Sequence, residues 1–310
     1  MSSQPVDTAQ TAASGISASR SALEETRRFR SPLMDVVRQF SRNRMAVAGL
    51  VIVVLVTFTA ALAPLLAPAD PAVQQLDDKR MPPNSDYLLG ADEFGRDILS
   101  RIIYGSRVAL FVALVAVAIA MALGVSIGLV AGYTGGWLDS VIMRVADVML
   151  AFPYLLLAIA LVAALGAGIE NTTLAVGIWA TPSFVRVTRS QVLGIKHREF
   201  VTAARATGVP TLRLVLRYVL PNAIPPIIVF ATLYMANAIL LEAALSFLGL
   251  GVQPPQPSWG LMVADGRDYL RVAPHIATFP GIAIMIAVLG FNLMGDGLRD
   301  ALDPTLRGRI

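Results

Sequence analysis

No cysteine occurs among the 310 residues, which removes disulfides, thiolate metal sites, iron–sulfur ligation and cysteine nucleophiles together. Lysine is nearly as scarce. A Walker-type phosphate loop requires Gly-Lys-Ser/Thr, and the only lysines are Lys79, followed by Arg80, and Lys196, followed by His197. Neither completes the motif, so this chain encodes no ATPase of that kind. The two histidines, His197 and His275, lie far apart and outside any HExxH pattern. They are expected as ordinary surface residues, with no catalytic constellation and no metal site. Charge is short as well: 15% of residues are charged and 55% hydrophobic, against about 25% charged in soluble domains. That deficit points to several bilayer spans rather than a large soluble core. The net charge of +4 is mild, and no nucleic-acid partner is expected from it.

What is present is a series of oily runs punctuated by arginine. Residues 1–30, Ser-, Ala-, Thr- and Gln-rich at first, are expected to form a disordered tail. They lack a basic stretch leading into an apolar one, so no cleaved signal is expected. Residues 31–44 read as a short amphipathic helix lying on the inner membrane surface. Ser31 is its cap, Pro32 opens it, and Leu33, Val36, Val37 and Phe40 share one face. The membrane-spanning body follows from residue 45 to 310. Six spans are expected: 45–69, 108–138, 148–169, 171–185 continuing into "RVTRSQVL", 218–241 and 276–295. Pro153, Pro182, Pro221 and Pro280 sit inside or beside them, as membrane helices tolerate. Long outer loops are expected at 70–107 and 249–275. With the N-terminus inside, the inner side holds 18 of the 25 basic residues, which favours both termini in the cytoplasm.

Between the fourth and fifth spans, at 193–221, stands "EFVTAARATGVPTLRLVLRYVLPNA". The first part reads as a short helix ended by Gly208 in the left-handed region. Pro210 suits the first turn of a second helix that Pro221 breaks. There Leu212, Val215, Leu216, Val219 and Leu220 fall on one face, with Arg213 and Arg217 elsewhere. Such a basic amphipathic pair either rests on lipid headgroups or inserts its small residues into another protein. Composition leaves both open.

This segment resembles the coupling loop of bacterial ABC importer permeases, which runs acidic-Ala-Ala, Gly four residues on, then a helix ending in Leu-Pro. Ala203, Ala204, Gly208, Leu220 and Pro221 match; Glu199, Arg205, Pro210 and Arg213 belong to the same loop. The acidic position is Thr202 here, with Glu199 one turn earlier as the candidate substitute, and Tyr218 stands where a histidine is common. "LGADEFGRDILSRIIYGSR", "LSFLGLGVQPPQPSWGLM" and "FNLMGDGLRDALDP" are similar to the C-type permease subunit of dipeptide/oligopeptide importers. The resemblance runs from about residue 35 onward. It implies an all-α, six-span, type I importer permease in the bacterial inner membrane. Its implied partners are a sister permease forming a heterodimer, two cytoplasmic ATPases and an extracytoplasmic substrate-binding protein. ATP and Mg would then be bound by the ATPases, leaving this chain without a cofactor.

Other residues carry paired readings. Ala116, Ala120, Gly124, Gly128 and Gly132 recur every four residues, a small-residue ridge suited either to a subunit contact or to packing within the chain. Glu242 and Phe247 are pore or gate candidates. An ionisable group at membrane depth costs about 2.5–3.5 kcal/mol, so Glu242 either lines a wet path or satisfies a structural neighbour. Asp92, Glu93, Arg96 and Asp97 lack EF-hand spacing and are expected to pair locally in a loop. In "QPPQPSWG", Trp259 suits the outer interface; the segment either contacts the binding protein or folds over the pore mouth. An ion-coupled secondary transporter is the rival function. Nickel chelates or opines are rival cargoes, and a membrane-embedded enzyme is disfavoured.

Overall fold

Helix starts and stops follow from a few capping residues. The computed structural model describes residues 32–302, which are helix, turn and loop with no β-strand among them. The expected tail and the Ser31 cap lie outside the described residues. Helix α1 covers Pro32–Arg42 and α2 covers Arg44–Ala61, separated by Asn43. The Asn43 side chain accepts hydrogen bonds from the Met45 and Ala46 amides and so starts α2. Helix α3, Ile98–Thr134, runs 37 residues. Asp97 caps it by accepting from the Ser100 amide, and Gly135, at φ +67°, ends it. It thus begins ten residues before the expected span. The first long loop closes at Asp97 rather than at 107, because the cap lies further upstream than hydropathy alone suggests.

The expected third span is not one rod. Helix α4, Gly136–Ala151, and α5, Tyr154–Leu165, meet at a 95° bend. Pro153 has no amide hydrogen to donate and pushes Phe152 to extended geometry (ψ 137°), which ends α4. Helix α6, Ile169–Ile195, is continuous through Pro182 and through the arginines of "RVTRSQVL". Helix α7 is Glu199–Ala206, α8 spans Thr211–Phe247, α9 is Trp259–Gly266 and α10 is His275–Leu302. By length and composition α2, α3, α8 and α10 can each cross a membrane, and the bent α4–α5 pair makes a fifth if the two helices together form one broken span. Helix α6, with 27 residues, is long enough at about 40 Å but more polar.

The α3–α6 contact is the most extensive between any two helices. The ridge residues Ala116, Ala120, Gly124, Gly128 and Gly132 are all buried in α3. A β-carbon added at Gly128 would stand 2.7 Å from the Thr188 β-carbon, and one at Gly132 would stand 2.8 Å from that of Val192. On the facing side, one at Gly177 would meet the Ala116 carbonyl oxygen at 3.1 Å. The ridge therefore packs within this chain, backbone against backbone. Beside it Phe184 of α6 meets Phe230 and Tyr234 of α8 edge-on, with ring centroids 5.0 and 5.4 Å away. Helix α2 lies against α10, tightest where Gly297 faces Ala46 and close also at Gly49 and Gly290. At one end of the bundle α1 is tied to α10, since the Gln39 amide donates to the Asp300 carbonyl oxygen. Val37 points away from that contact and is exposed, so the expected apolar face of α1 is only partly used.

The packing predicts a sharp contrast between two glycines. Gly128→Leu forces α3 and α6 apart and is expected to cost at least the roughly 1–3 kcal/mol of an overpacked core. Gly194→Ala meets nothing within 4 Å and should shift stability by less than about 1 kcal/mol. Thermal unfolding of both detergent-solubilised variants checks this; equal behaviour would contradict the close contact.

Candidate functional site

Only three residues, Lys196–Arg198, separate α6 from α7, so α7 hangs directly from the end of α6. In α7, Val201 and Ala204 are buried, while Glu199, Thr202, Ala203, Arg205 and Ala206 face outward. Gly208 follows at φ +80°. The Val209 amide donates to the Ala204 carbonyl and the Gly208 amide to the Arg205 carbonyl, closing the helix with a left-handed cap. Pro210 is extended and stands just before the next helix instead of in its first turn. The Thr202 hydroxyl turns back to the Arg198 carbonyl at 3.3 Å and leaves Glu199 as the single carboxylate of the loop.

Pro221 does not break the second helix, contrary to the sequence reading. Residues 215–219 are wound as a π turn, and the Leu220 amide donates to the Val215 carbonyl five residues back. The wider turn accommodates the proline, and α8 continues without interruption. The loop proper is therefore 196–210, shorter than 193–221. The expected apolar face is redistributed too. Leu214, outside the helical stripe, is buried at 1% exposure, whereas Leu212 is 71% and Leu216 51% exposed. Phe200, Leu212 and Leu216 thus sit on the surface in company with exposed Arg205, Arg213 and Arg217. This surface has no nucleophile, acid–base pair or metal ligand set. It is small-residued, apolar and cationic, which fits it for gripping by another protein.

Two features near α7 have no sequence motif. Arg189 of α6 forms a fork with Asp139 of α4, Nε to Oδ1 at 2.5 Å and Nη2 to Oδ2 at 2.6 Å. The Lys196 Nζ donates to the Gly132 carbonyl at 2.8 Å and caps the end of α3. The partners lie 50 and 64 residues apart. A lone charge at the edge of an oily run was the available signal for each.

The opposite end of the bundle is built from the two long loops. Glu242 is 1% exposed, and the Ser246 hydroxyl donates to its Oε1 at 2.7 Å. Ser246 Oγ in turn accepts from the Val252 amide at 3.2 Å, tying α8 to the loop before α9. Glu242 is enclosed in the chain, and Phe247 borders a polar cavity of about 510 Å³ with Glu93, Leu261, Asp265 and Arg267. Trp259 does not sit at an interface as its residue type suggested. It is 4% exposed, and its indole N–H donates to the Ile102 carbonyl at 2.9 Å. Gly105 makes the room, since a β-carbon there would lie 2.7 Å from the Trp259 ring. The start of α9 consequently packs on α3.

Of Asp92, Glu93, Arg96 and Asp97, the first three pair locally as expected, and Asp97 does not. Arg96 Nε lies 2.6 Å from Asp92 Oδ2 and its Nη2 2.9 Å from Glu93 Oε1, while Asp97 serves as the α3 cap. Arg101, fully buried, adds a longer 3.4 Å contact to Asp92. Burial, then the Asp92 charge, pushes the Glu93 carboxyl above its ordinary range, and burial does the same to Asp265.

Comparison with known proteins adds the following. Residues 124–308 match the family described as binding-protein-dependent transport system inner membrane component. Residues 31–83 match the N-terminal TM domain of oligopeptide transport permease C. The di/tripeptide transport system permease protein DppC of Pseudomonas aeruginosa is 47% identical over 285 residues, covering 90% of this chain and 94% of that protein. The dipeptide transport system permease protein DppC of Escherichia coli K12 is 50% identical over 283 residues, covering 89% and 94%. The glutathione transport system permease protein GsiD of Shigella flexneri is 44% identical over 280 residues, covering 90% and 92%. Among solved structures, an inward-facing form of the MetNI methionine ABC transporter aligns at TM-score 0.56 and 17% identity. It covers 66% of this chain and 98% of that one, a likeness of fold.

The loop-end hydrogen bonds predict graded losses of stability. Glu242→Leu strands the Ser246 hydroxyl and should cost about 1–3 kcal/mol, and Trp259→Phe, which loses one N–H···O bond, about 1 kcal/mol. Glu242→Gln keeps an oxygen acceptor and should lie near the parent. Thermal unfolding in detergent measures all three; a Glu242→Leu protein as stable as the parent would refute the structural role.

Proposed function

The chain belongs to the binding-protein-dependent transport system inner membrane components, and on that premise we propose that it is the permease subunit of an ATP-driven importer of di- or oligopeptides. The observation that carries the mechanism is the exposed α7 surface, suspended directly from α6 and free of any catalytic group. Six crossings with both termini in the cytoplasm account for the arginine distribution. In that orientation α7 faces the cytosol, and the long loops around Phe247 and α9 face outward toward a substrate-binding protein. Partner ATPases hold ATP and Mg, and a sister permease supplies the other half of the pore. Relatives named for dipeptides, di/tripeptides and glutathione all carry short peptides, which supports that cargo over nickel chelates or opines. Ion coupling is disfavoured because Glu242 is enclosed against Ser246.

Coupling follows from geometry. The ATPase grips Ala203, Arg205 and their neighbours. Closure of its nucleotide sites displaces α7, and α6 carries the displacement into the bundle. Glu199 and the arginines 205, 213 and 217 provide the polar rim, with Phe200 and Leu212 as apolar anchors.

Gly208 gives the test. At φ +80° a valine is strained by about 1–2 kcal/mol, yet nothing lies within 4 Å of its β-carbon, so the strain stays in the loop. Gly208→Val should leave the complex assembled and hydrolysing ATP. Labelled dipeptide taken up per ATP in proteoliposomes should fall about tenfold, within the usual range of coupling energies. An unchanged ratio would count against docking at α7.

A further inference from the structure

Helix α4 is only lightly packed at its α7-side end, where Leu138, Ile142 and Met143 are no more than half-buried. Ala146 is its single buried residue. Its connection to α3 is a pair of glycines, Gly135 at φ +67° and Gly136 at φ +63°, with nothing within 4 Å of either β-carbon position. Such a turn joins the helices without fixing their angle. The end of α3, by contrast, is locked to α6 through Gly128, Gly132 and the Lys196 cap. What joins α4 to α6 is the planar fork of Arg189 on Asp139, with side chains 31% and 14% exposed. A second pair, Arg186 with Asp147 at 2.7 Å, is 54% and 52% exposed. An open pair of that kind contributes little, whereas a two-bonded guanidinium–carboxylate contact fixes direction as well as distance.

From this arrangement we propose that the Arg189–Asp139 fork is the strut that carries displacement of α7 into the bent α4–α5 pair, making both residues positioning residues for transport. The proposal rests on the coupling role given to α7 above. When the ATPase moves α7, α6 moves because Lys196–Arg198 is too short to absorb the motion. Helix α3 follows by close packing. Helix α4 follows because Asp139 is held, and through the 95° bend at Phe152–Pro153 the push reaches α5. With the fork cut, α6 still answers the ATPase, but α4 pivots freely on its two glycines. Hydrolysis then continues without opening the path.

The test uses the full complex in proteoliposomes, reading dipeptide uptake, ATP hydrolysis and a disulfide crosslink from Ala203→Cys to the ATPase. Asp139→Asn and Arg189→Gln are expected to keep assembly, crosslinking and hydrolysis, and to lower uptake per ATP by about tenfold. The swapped pair, Asp139→Arg with Arg189→Asp, should recover much of that ratio, which ties the loss to the pairing of the two charges and not to either side chain alone. Asp147→Asn, cutting the exposed pair, should leave the ratio at the parent value. Should the single variants fail to assemble, Arg189→Lys keeps the charge but loses the fork and should lower the ratio by a smaller factor. An unchanged ratio, a loss not repaired by the swap, or hydrolysis and uptake falling together would each overturn the strut. Absence of the Ala203 crosslink in the otherwise unaltered complex would instead overturn the α7 docking on which it rests.

Discussion

The structure depends on how closely α3 can approach α6. In a bilayer the hydrophobic effect does not drive helices together, so affinity between them comes from van der Waals contact and the few polar bonds that oily surfaces leave room for. Glycine every fourth residue, at 124, 128 and 132, lets the α3 backbone lie on α6 with only β-carbons and carbonyls between them. That contact turns α6, the most polar of the long helices, into an internal member shielded by its neighbours. It also makes α3 and α6 a stiff beam with α7 at its tip.

The two ends of the bundle are built on opposite plans. At the loop end, polar groups are closed in on one another: Glu242 with Ser246, Trp259 with the Ile102 carbonyl, Arg96 with Asp92 and Glu93. In each a buried side chain is matched to a buried or partly buried partner, as polar groups away from water generally are. At the α7 end the polar groups point outward, and apolar Phe200, Leu212 and Leu216 are exposed beside arginines. The closed end buries its polar groups, while the open end leaves apolar and cationic side chains on its surface.

Local chemistry was legible in the sequence where one or two residues decide the conformation. Gly208 reads as a left-handed cap because only glycine adopts that geometry freely, and the small-residue ridge stands out by its period of four. The pairing of Asp92, Glu93 and Arg96 follows from their crowding within one loop. Pro221 was misleading because the π turn at 215–219 answers the missing donor, and a wider turn leaves no mark on the side-chain pattern. The 95° bend was hidden by hydropathy, which registers an oily run without its direction. Trp259 was misplaced since its residue type favours interfaces, whereas its true partner is a backbone carbonyl 157 residues away. The Arg189–Asp139 fork joins positions 50 residues apart, a pairing that no single-chain pattern encodes.

The central claim is that α7 moves with α3 and α6 as one body. Spin labels at Ala203 in α7 and Ser126 in α3, both exposed, report that distance directly by pulsed electron resonance on the assembled transporter. Between the nucleotide-free and ATP-bound states the separation should shift by no more than about 2 Å, the scale of small helix adjustments. A shift of about 5 Å or more, the scale of one element ratcheting a full turn past another, would show α7 swinging alone and would contradict the account.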